Sequence, residues 1–323
     1  GVNRIKSLVN SSLLKFKRCV YSLQELKNIK LHLYSKYAEM STSLKSNLTA
    51  IGISQKNNAV VVYLADCSQS RIKEFKNFYD NPAVVFTNMG KINTDNPCLS
   101  TQLVNTRSYT TLATISKFPI GAGDTCLISM SGDKPIYGTF AFRAQETSGQ
   151  KRCGLVTAGH VVSVGQYCYD KDFNPFGICS SRIVSTGNAE ASFIPCGYLD
   201  EFNINNYIGG SSSSVLSTTT NKPGEGTYVN KYGATTKRTG GYIQDIDCTV
   251  LSEDKTATFS DMTLVKCTAD GGDSGGIVYT YISKYNTRLT VGVVYGYPEK
   301  MGKNYLIYSK ADNVLKALHL KRY

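Results

Sequence analysis

Between residues 4 and 40 the apolar positions Ile5, Leu8, Leu13, Leu14, Tyr21, Leu26 and Ile29 recur at mostly helical intervals among lysines, which predicts one or two amphipathic helices. The period then shortens. "LTAIGISQKNNAVVVYLAD" (48–66) holds two strand-like runs around the turn-rich "QKNNA", "SRIKEFKNFYD" (70–80) is helical again, and "AVVFTNM" (83–89) is strand-like, so this stretch predicts a small ββαβ unit. Residues 93–120 lose all periodicity and are rich in Thr, Ser and Asn, the composition of an exposed connection. From about Gly121 short β runs follow one another between Gly, Asn, Asp and Ser: "TCLISM", "YGTFAF", "GLVTAG", "ASFIP", "TYVNKYG", "GYIQDI", "CTVL", "MTLVKC", "GGIVYTYI", "LTVGVVYG" and "NYLIYS". Many short strands at this spacing predict an all-β barrel or sandwich. "GGSSSSVLSTTTNKPGEG" (209–226) reads as a loop connecting two β halves, and "ADNVLKALHLKRY" as a closing helix with Val314, Leu315 and Leu318 on one face.

A chain of 323 residues is long enough for two units, and 41% hydrophobic and 19% charged residues with no long apolar run describe a soluble globular protein without a membrane span. Ten cysteines, none in a CxxC or at zinc-ligand spacing with a histidine, point to disulfides and an extracellular, oxidising address, with no metal. The chain begins at Gly1 without a basic-then-apolar leader, so any secretory signal is expected to have been removed already. The net charge of +12 is uneven. Residues 1–118 hold 16 of the 36 Lys and Arg but 6 of the 24 Asp and Glu, a net of +10, which leaves +2 for the rest. The basic residues read as a solvated face of the N-terminal part, and no RNA- or DNA-binding motif accompanies them.

Two short stretches carry the chemistry. In "GGDSGG" (271–276) glycines before Ser274 let the backbone turn sharply, so that the N–H groups of Gly272 and Ser274 can point at one spot, and those after it leave room for a substrate. A serine hydroxyl also needs a base. "LVTAGH" (155–160) delivers one, an apolar strand that ends in small residues with His160 at its tip; the other two histidines, His32 and His319, fall at surface positions of predicted helices.

"TAGH" followed by "GDSGG", in a β-rich, cysteine-bearing chain, resembles the chymotrypsin-like serine peptidases, and within them the secreted streptogrisin and alpha-lytic branch. "VNKYGATTKRTGGYI" (229–243) is similar to that branch's segment before its glycine-containing strand, "CTADGGDSGG" to its serine loop, and the closing helix to its C-terminal helix. The likeness covers about 119–323. Residues 1–118 resemble, more weakly, the α/β pro-region that assists folding and then inhibits the enzyme. The resemblance implies two antiparallel β-barrels, about 119–208 and 226–310, a helix at about 311–320, and no cofactor. It also implies a triad acid just before an apolar strand, where this chain has Glu190 in "GNAEASFIP" in place of the usual aspartate; Asp200, Asp170 and Asp172 are the alternatives. Tyr295, Gly296 and Tyr297 fall where the family lines its substrate pocket, and Lys231 where the branch supplies a cation to Asp273. Cys267 has no cysteine downstream, so its mate is assigned as Cys248, with Cys153–Cys168 and Cys179–Cys196 as the other pairs.

Together these features describe a secreted serine endopeptidase, made as a zymogen, with polypeptide substrates, its own pro-region as inhibitor, and no nucleic-acid or membrane partner. Self-processing is expected between Thr106 and Gly123. Two readings compete: an inactive peptide-binding relative of the same fold, and an intracellular processing peptidase of the viral type, against which the ten cysteines count.

Overall fold

The structure, a computed structural model, describes residues 2–8, 16–94, 119–131, 134–196 and 203–323. In chain order the N-terminal part forms α1 (Val2–Leu8), α2 (Leu23–Ser35), a 3-10 turn, α3 (Thr42–Asn47), β1 (Leu48–Ser54), β2 (Ala59–Leu64), α4 (Gln69–Phe78), β3 (Val84–Asn88) and β4 (Ile92–Asn93). A capping box starts α2: the Ser22 hydroxyl accepts from the Glu25 N–H, and the Glu25 carboxylate takes the Ser22 N–H. "AVVVYL" is apolar throughout because β2 is covered on both faces. Val60, Val62 and Leu64 pack with Leu26, Leu33 and Phe75 of the helices, whereas Val61 and Tyr63 join a second cluster with Cys248, Val250 and Met262.

The β region continues with β5 (Pro119–Ala122), β6 (Thr125–Ser131), β7 (Lys134–Thr139), β8 (Phe142–Glu146), β9 (Cys153–Thr157), β10 (Tyr167–Tyr169), β11 (Pro175–Ile178), β12 (Ser181–Ile183) and β13 (Ala191–Pro195). Its second half holds β14 (Asn203–Ile208), β15 (Ser211–Thr220), β16 (Tyr228–Gly233), β17 (Lys237–Leu251), β18 (Thr258–Lys266), β19 (Ile277–Ile282), β20 (Thr287–Pro298) and β21 (Leu306–Lys310), then α5 (Ala311–Ala317) and β22 (Leu320–Arg322). Two sheets, β11-β10-β6-β7 and β12-β13-β9-β8-β22, enclose Phe140, Phe142, Leu155, Val156, Phe176 and Phe193. The third sheet runs β3-β2-β1-β17-β16-β19-β20-β15-β14-β5, so the N-terminal strands extend the sheet of the second β half. The seam is antiparallel, with Ala50 opposite Val250 and Ile51 opposite Thr249.

Three expectations change. The serine-rich 209–226 stretch is largely strand, not loop. β15 buries Leu216 and exposes most of its hydroxyls, pairing with β14 on one side and β20 on the other. The closing helix stops at Ala317, and His319, in the left-handed region at φ +54°, turns the chain into β22 against β8. The three cysteine pairs are not formed; the nine described cysteines are free thiols, and Cys98 lies outside the described residues. Register explains the largest departure. On the β17–β18 hairpin Cys248 stands opposite Met262, whereas Cys267 follows Lys266, which pairs with Tyr242 at the other end, and the two thiols belong to different clusters.

Candidate active site

Strand β9 ends at Thr157, and Ala158 and Gly159 carry the chain to His160. Glycine is required before the histidine: a Cβ on Gly159 would stand 2.4 Å from the Ile183 carbonyl oxygen and 2.7 Å from Glu190 Oε1. Glu190 immediately precedes β13, which pairs with β9 through Ser192–Thr157 and Phe193–Val156. The two strand ends therefore bring the acid to the base. Glu190 Oε1 accepts the His160 main-chain N–H and lies 3.1 Å from the ring Nδ1, with both side chains buried. Ser309 of β21 fixes the acid's backbone, accepting the Glu190 N–H at 3.0 Å and donating to its carbonyl at 3.2 Å. The alternatives are placed elsewhere. Asp170 accepts the Asp172 and Asn174 N–H groups of its own turn, Asp172 pairs with Lys171, and Asp200 lies outside the described residues.

The serine loop explains its glycines. Gly272 and Gly275 both have φ of +86°; a Cβ on Gly272 would meet the Tyr137 ring at 2.4 Å, and one on Gly275 would meet Thr157 Oγ1 at 2.1 Å. Asp273 turns inward and is fully buried, where the Lys231 ammonium pairs with it at 2.7 Å and the Thr235 and Thr236 N–H groups donate to it at 3.0 Å each. Both charges are thus compensated within one packed loop pair, and the cation expected beside Asp273 is the one found. The N–H groups of Gly272 and Ser274 donate to no acceptor among the described residues.

The Ser274 hydroxyl is directed away from His160. It donates to the main-chain carbonyls of Thr94, at 3.1 Å, and Tyr295, at 3.3 Å; the Nε2 atom of His160 is buried without a hydrogen-bond partner among the described residues. Thr94 follows β4, which pairs antiparallel with the end of β20, Asn93 opposite Tyr297 and Ile92 opposite Pro298. The approach is close. A Cβ on Gly296 would stand 2.4 Å from the Asn93 carbonyl oxygen, so the open backbone at this position admits the neighbouring segment. Tyr295 is buried; its ring meets the His160 imidazole edge-on at 5.7 Å and the Phe259 ring at 5.6 Å, and desolvation raises its hydroxyl's pKa. Sequence reasoning missed Ser309 and Thr94. Nothing local marks them, because only the fold carries β21 to β13 and the end of the N-terminal part to the serine.

A family model described as the Pro-like C-terminal domain matches residues 24–89, the span of α2 through β3. No curated protein matches the chain by sequence. Among solved structures, a Nocardiopsis protease is 22% identical, over 63% of this chain and 98% of its own, with a TM-score of 0.50. Protease A of Thermobifida fusca is 21% identical over 63% and 98%, with a TM-score of 0.49, and the alpha-lytic protease homologue N4 is 16% identical over 63% and 98%, also at 0.49. The first of these shows the fold. The mostly β chain shares the fold of that protease.

Proposed function

We propose that this protein is a secreted serine endopeptidase produced with its own inhibitor, residues 1–118 serving as a pro-region and 119–323 as the peptidase. Ser274 attacks a peptide carbonyl, His160 takes its proton and returns it to the leaving amine, and Glu190 holds the imidazole in the tautomer whose free nitrogen faces the serine. The Gly272 and Ser274 N–H groups receive the oxyanion. One observation carries this reading: a carboxylate seated on His160, whose ring packs on Tyr295, the residue whose main-chain carbonyl meets the Ser274 hydroxyl. The fold shared with a known protease and the Pro-like match at 24–89 support it. Secretion rests on the resemblance to the secreted streptogrisin and alpha-lytic branch, since the nine described cysteines are free thiols and lend it no support; among the described residues no helix is long and apolar enough to cross a membrane.

The second reading, an inactive peptide-binding relative, is favoured by the missing Ser274–His160 bond. A serine-directed phosphonate separates the two, since only an activated serine is labelled. In the enzyme, Ser274→Ala and His160→Ala each lower kcat by about 10⁴-fold or more, and the double variant is no worse than either; additive losses would refute a shared role. The wild-type chain shortens itself while Ser274→Ala stays whole. Of the expected junction, 106–118 lies outside the described residues and 119–122 forms β5.

A further inference from the structure

The strand pair that brings Glu190 to His160 also brings two cysteines together at its other end. β9 starts at Cys153, and Cys196 follows the last residue of β13. Pro195 stands opposite Gly154, which sets Cys196 opposite Cys153, and the Cys196 N–H donates to the Cys153 carbonyl at 2.9 Å. Residues paired in this way have Cα atoms about 5.5 Å apart and side chains on one face of the sheet, inside the range of roughly 4.4–6.8 Å that a disulfide spans. A third side chain marks the spot. Burial raises the pKa of the Tyr323 hydroxyl, and its hydrogen bond to Cys153 and the nearby Cys196 raise it further, so both sulfurs lie at one phenol. The Gln145 amide adds a donor 3.5 Å from the Cys153 sulfur, and the Arg143 guanidinium lies 4.2 Å over the Tyr323 ring. Cys153 is half-buried and Cys196 buried, so a dissolved reagent meets Cys153 first, where two donors face a thiolate. The Cys126 and Cys168 thiols also meet, but both are fully buried and closed to such a reagent.

We infer that Cys153 and Cys196 are a disulfide-forming pair, oxidised by a small-molecule disulfide such as glutathione disulfide, with Cys153 as the attacking thiol and Cys196 as the resolving one. The inference does not depend on the peptidase reading. The Cys153 thiolate attacks one sulfur of the glutathione disulfide; that S–S bond breaks, and the glutathione thiolate released takes up the proton that Cys153 gave away. The Cys196 sulfur then attacks the mixed disulfide at Cys153, its own proton passing to the second glutathione as it leaves. Two protein thiols are oxidised, and one glutathione disulfide is reduced to two thiols. The product ties the start of β9 to the end of β13, and the opposite ends of these strands hold His160 and Glu190. The bridge thereby locks the register that seats the acid on the base.

The test uses the full chain, first reduced and then held in glutathione disulfide, and its first arm needs no variant. Peptide mapping by mass spectrometry is expected to find Cys153 joined to Cys196, with Cys126 and Cys168 still reduced and the exposed Cys19 carrying only a mixed disulfide. Cys196→Ser traps the intermediate, leaving glutathione attached to Cys153, whereas Cys153→Ser leaves Cys196 reduced. The oxidised wild type melts roughly 5 °C or more above the reduced chain, the shift expected of a cross-link that closes a long loop, and Cys153→Ser abolishes that shift. Because the wild-type map stands by itself, a serine variant that fails to fold does not remove the test. A map in which Cys153 stays reduced, or is joined to Cys168 as expected from the sequence, overturns the pair. A folded Cys196→Ser chain without glutathione on Cys153 overturns the order of attack.

Discussion

Glutamate reaches one methylene further than aspartate, and here that length lets a single oxygen, Oε1, serve both the main-chain N–H and the ring Nδ1 of His160. Glu190 Oε2 is buried with no partner among the described residues, so the carboxylate's hold on the histidine is concentrated in one atom. Replacing Glu190 with Gln presents either an amide N–H to Nδ1 or an oxygen without charge, and the imidazolium loses its counter-ion. The expected result is a fall in kcat of up to about 10⁴-fold with little change in melting temperature. Glu190→Asp keeps the charge but shortens the reach, so a partial loss, roughly ten- to a hundredfold, is expected in place of rescue. Steady-state kinetics on the processed protein with a thermal melt beside them checks both; near-full activity in Glu190→Gln would remove the acid from the mechanism. The meeting of His160 and Glu190 was legible in the sequence because their neighbours mark them, small residues before the histidine and an apolar strand after the acid, whereas the expected bond from Ser274 to His160 is not formed. Ser309 was not legible, since a hydroxyl within "LIYS" looks like any strand serine until β21 is laid beside Glu190.

At the scale of elements, the hairpin of β17 and β18 departs most from its sequence pattern. "GYIQDI" and "CTVL" read as two strands broken by acidic residues, but they are one strand of fifteen residues, because Asp245 is accommodated inside the seam with β1. Gly52 makes this possible: a Cβ there would lie 1.9 Å from Asp245 Oδ2. The carboxylate takes the Ile53 and Asp247 N–H groups and the Tyr63 hydroxyl, with Cys248 and the Lys30 ammonium also facing it. Burial nevertheless outweighs these contacts and pushes its pKa up from an ordinary 3.8 to about 6. Above pH 6 the group is ionised in both folded and unfolded chains and the buried charge costs stability. As pH falls from about 6 toward 3.8 the folded form binds the proton first, and stability rises; below that range the gain is complete. Asp245→Asn should therefore stabilise the chain at pH 7.5, by at most about 3 kcal/mol, and make little difference near pH 4. Urea unfolding at the two pH values measures this; equal effects at both would show that the charge is not what burial penalises. The β15 strand was hidden for a different reason. Its serines and threonines carry the polarity of a linker, and its place in the sheet comes from β14 and β20 flanking it, which a local pattern does not record.

Across the whole molecule, polar contacts along the β1 seam tie the N-terminal part to the second β half. Lys30 pairs with Asp247 at 2.7 Å, the Lys255 ammonium holds the Leu48 carbonyl, and the Glu225 carboxylate takes the Gln55 and Lys56 N–H groups at 2.6 and 3.0 Å. These contacts lie along the β1 seam, away from the serine, and Leu251 of the hairpin adds an apolar anchor in the N-terminal cluster. Cutting in the expected junction, between Thr106 and Gly123, removes none of them. The processed N-terminal fragment is therefore expected to remain bound, with β4 still paired to the end of β20, so that cleavage precedes activity and release limits it. The grip should be weakest where one side chain serves two backbone donors. Glu225→Gln keeps the shape of that side chain and removes its charge, and hydrogen bonds to a charged acceptor are worth about 1.5–3 kcal/mol; allowing for the half-exposed setting, the fragment should bind roughly tenfold more weakly. Gel filtration of the self-processed protein over a dilution series gives the readout, wild type eluting as one complex and Glu225→Gln separating at a concentration roughly tenfold higher, with peptide hydrolysis appearing in step. Fragments that part at once in the wild type, or a Glu225→Gln complex as tight as its parent, would show that the seam does not hold the inhibitor.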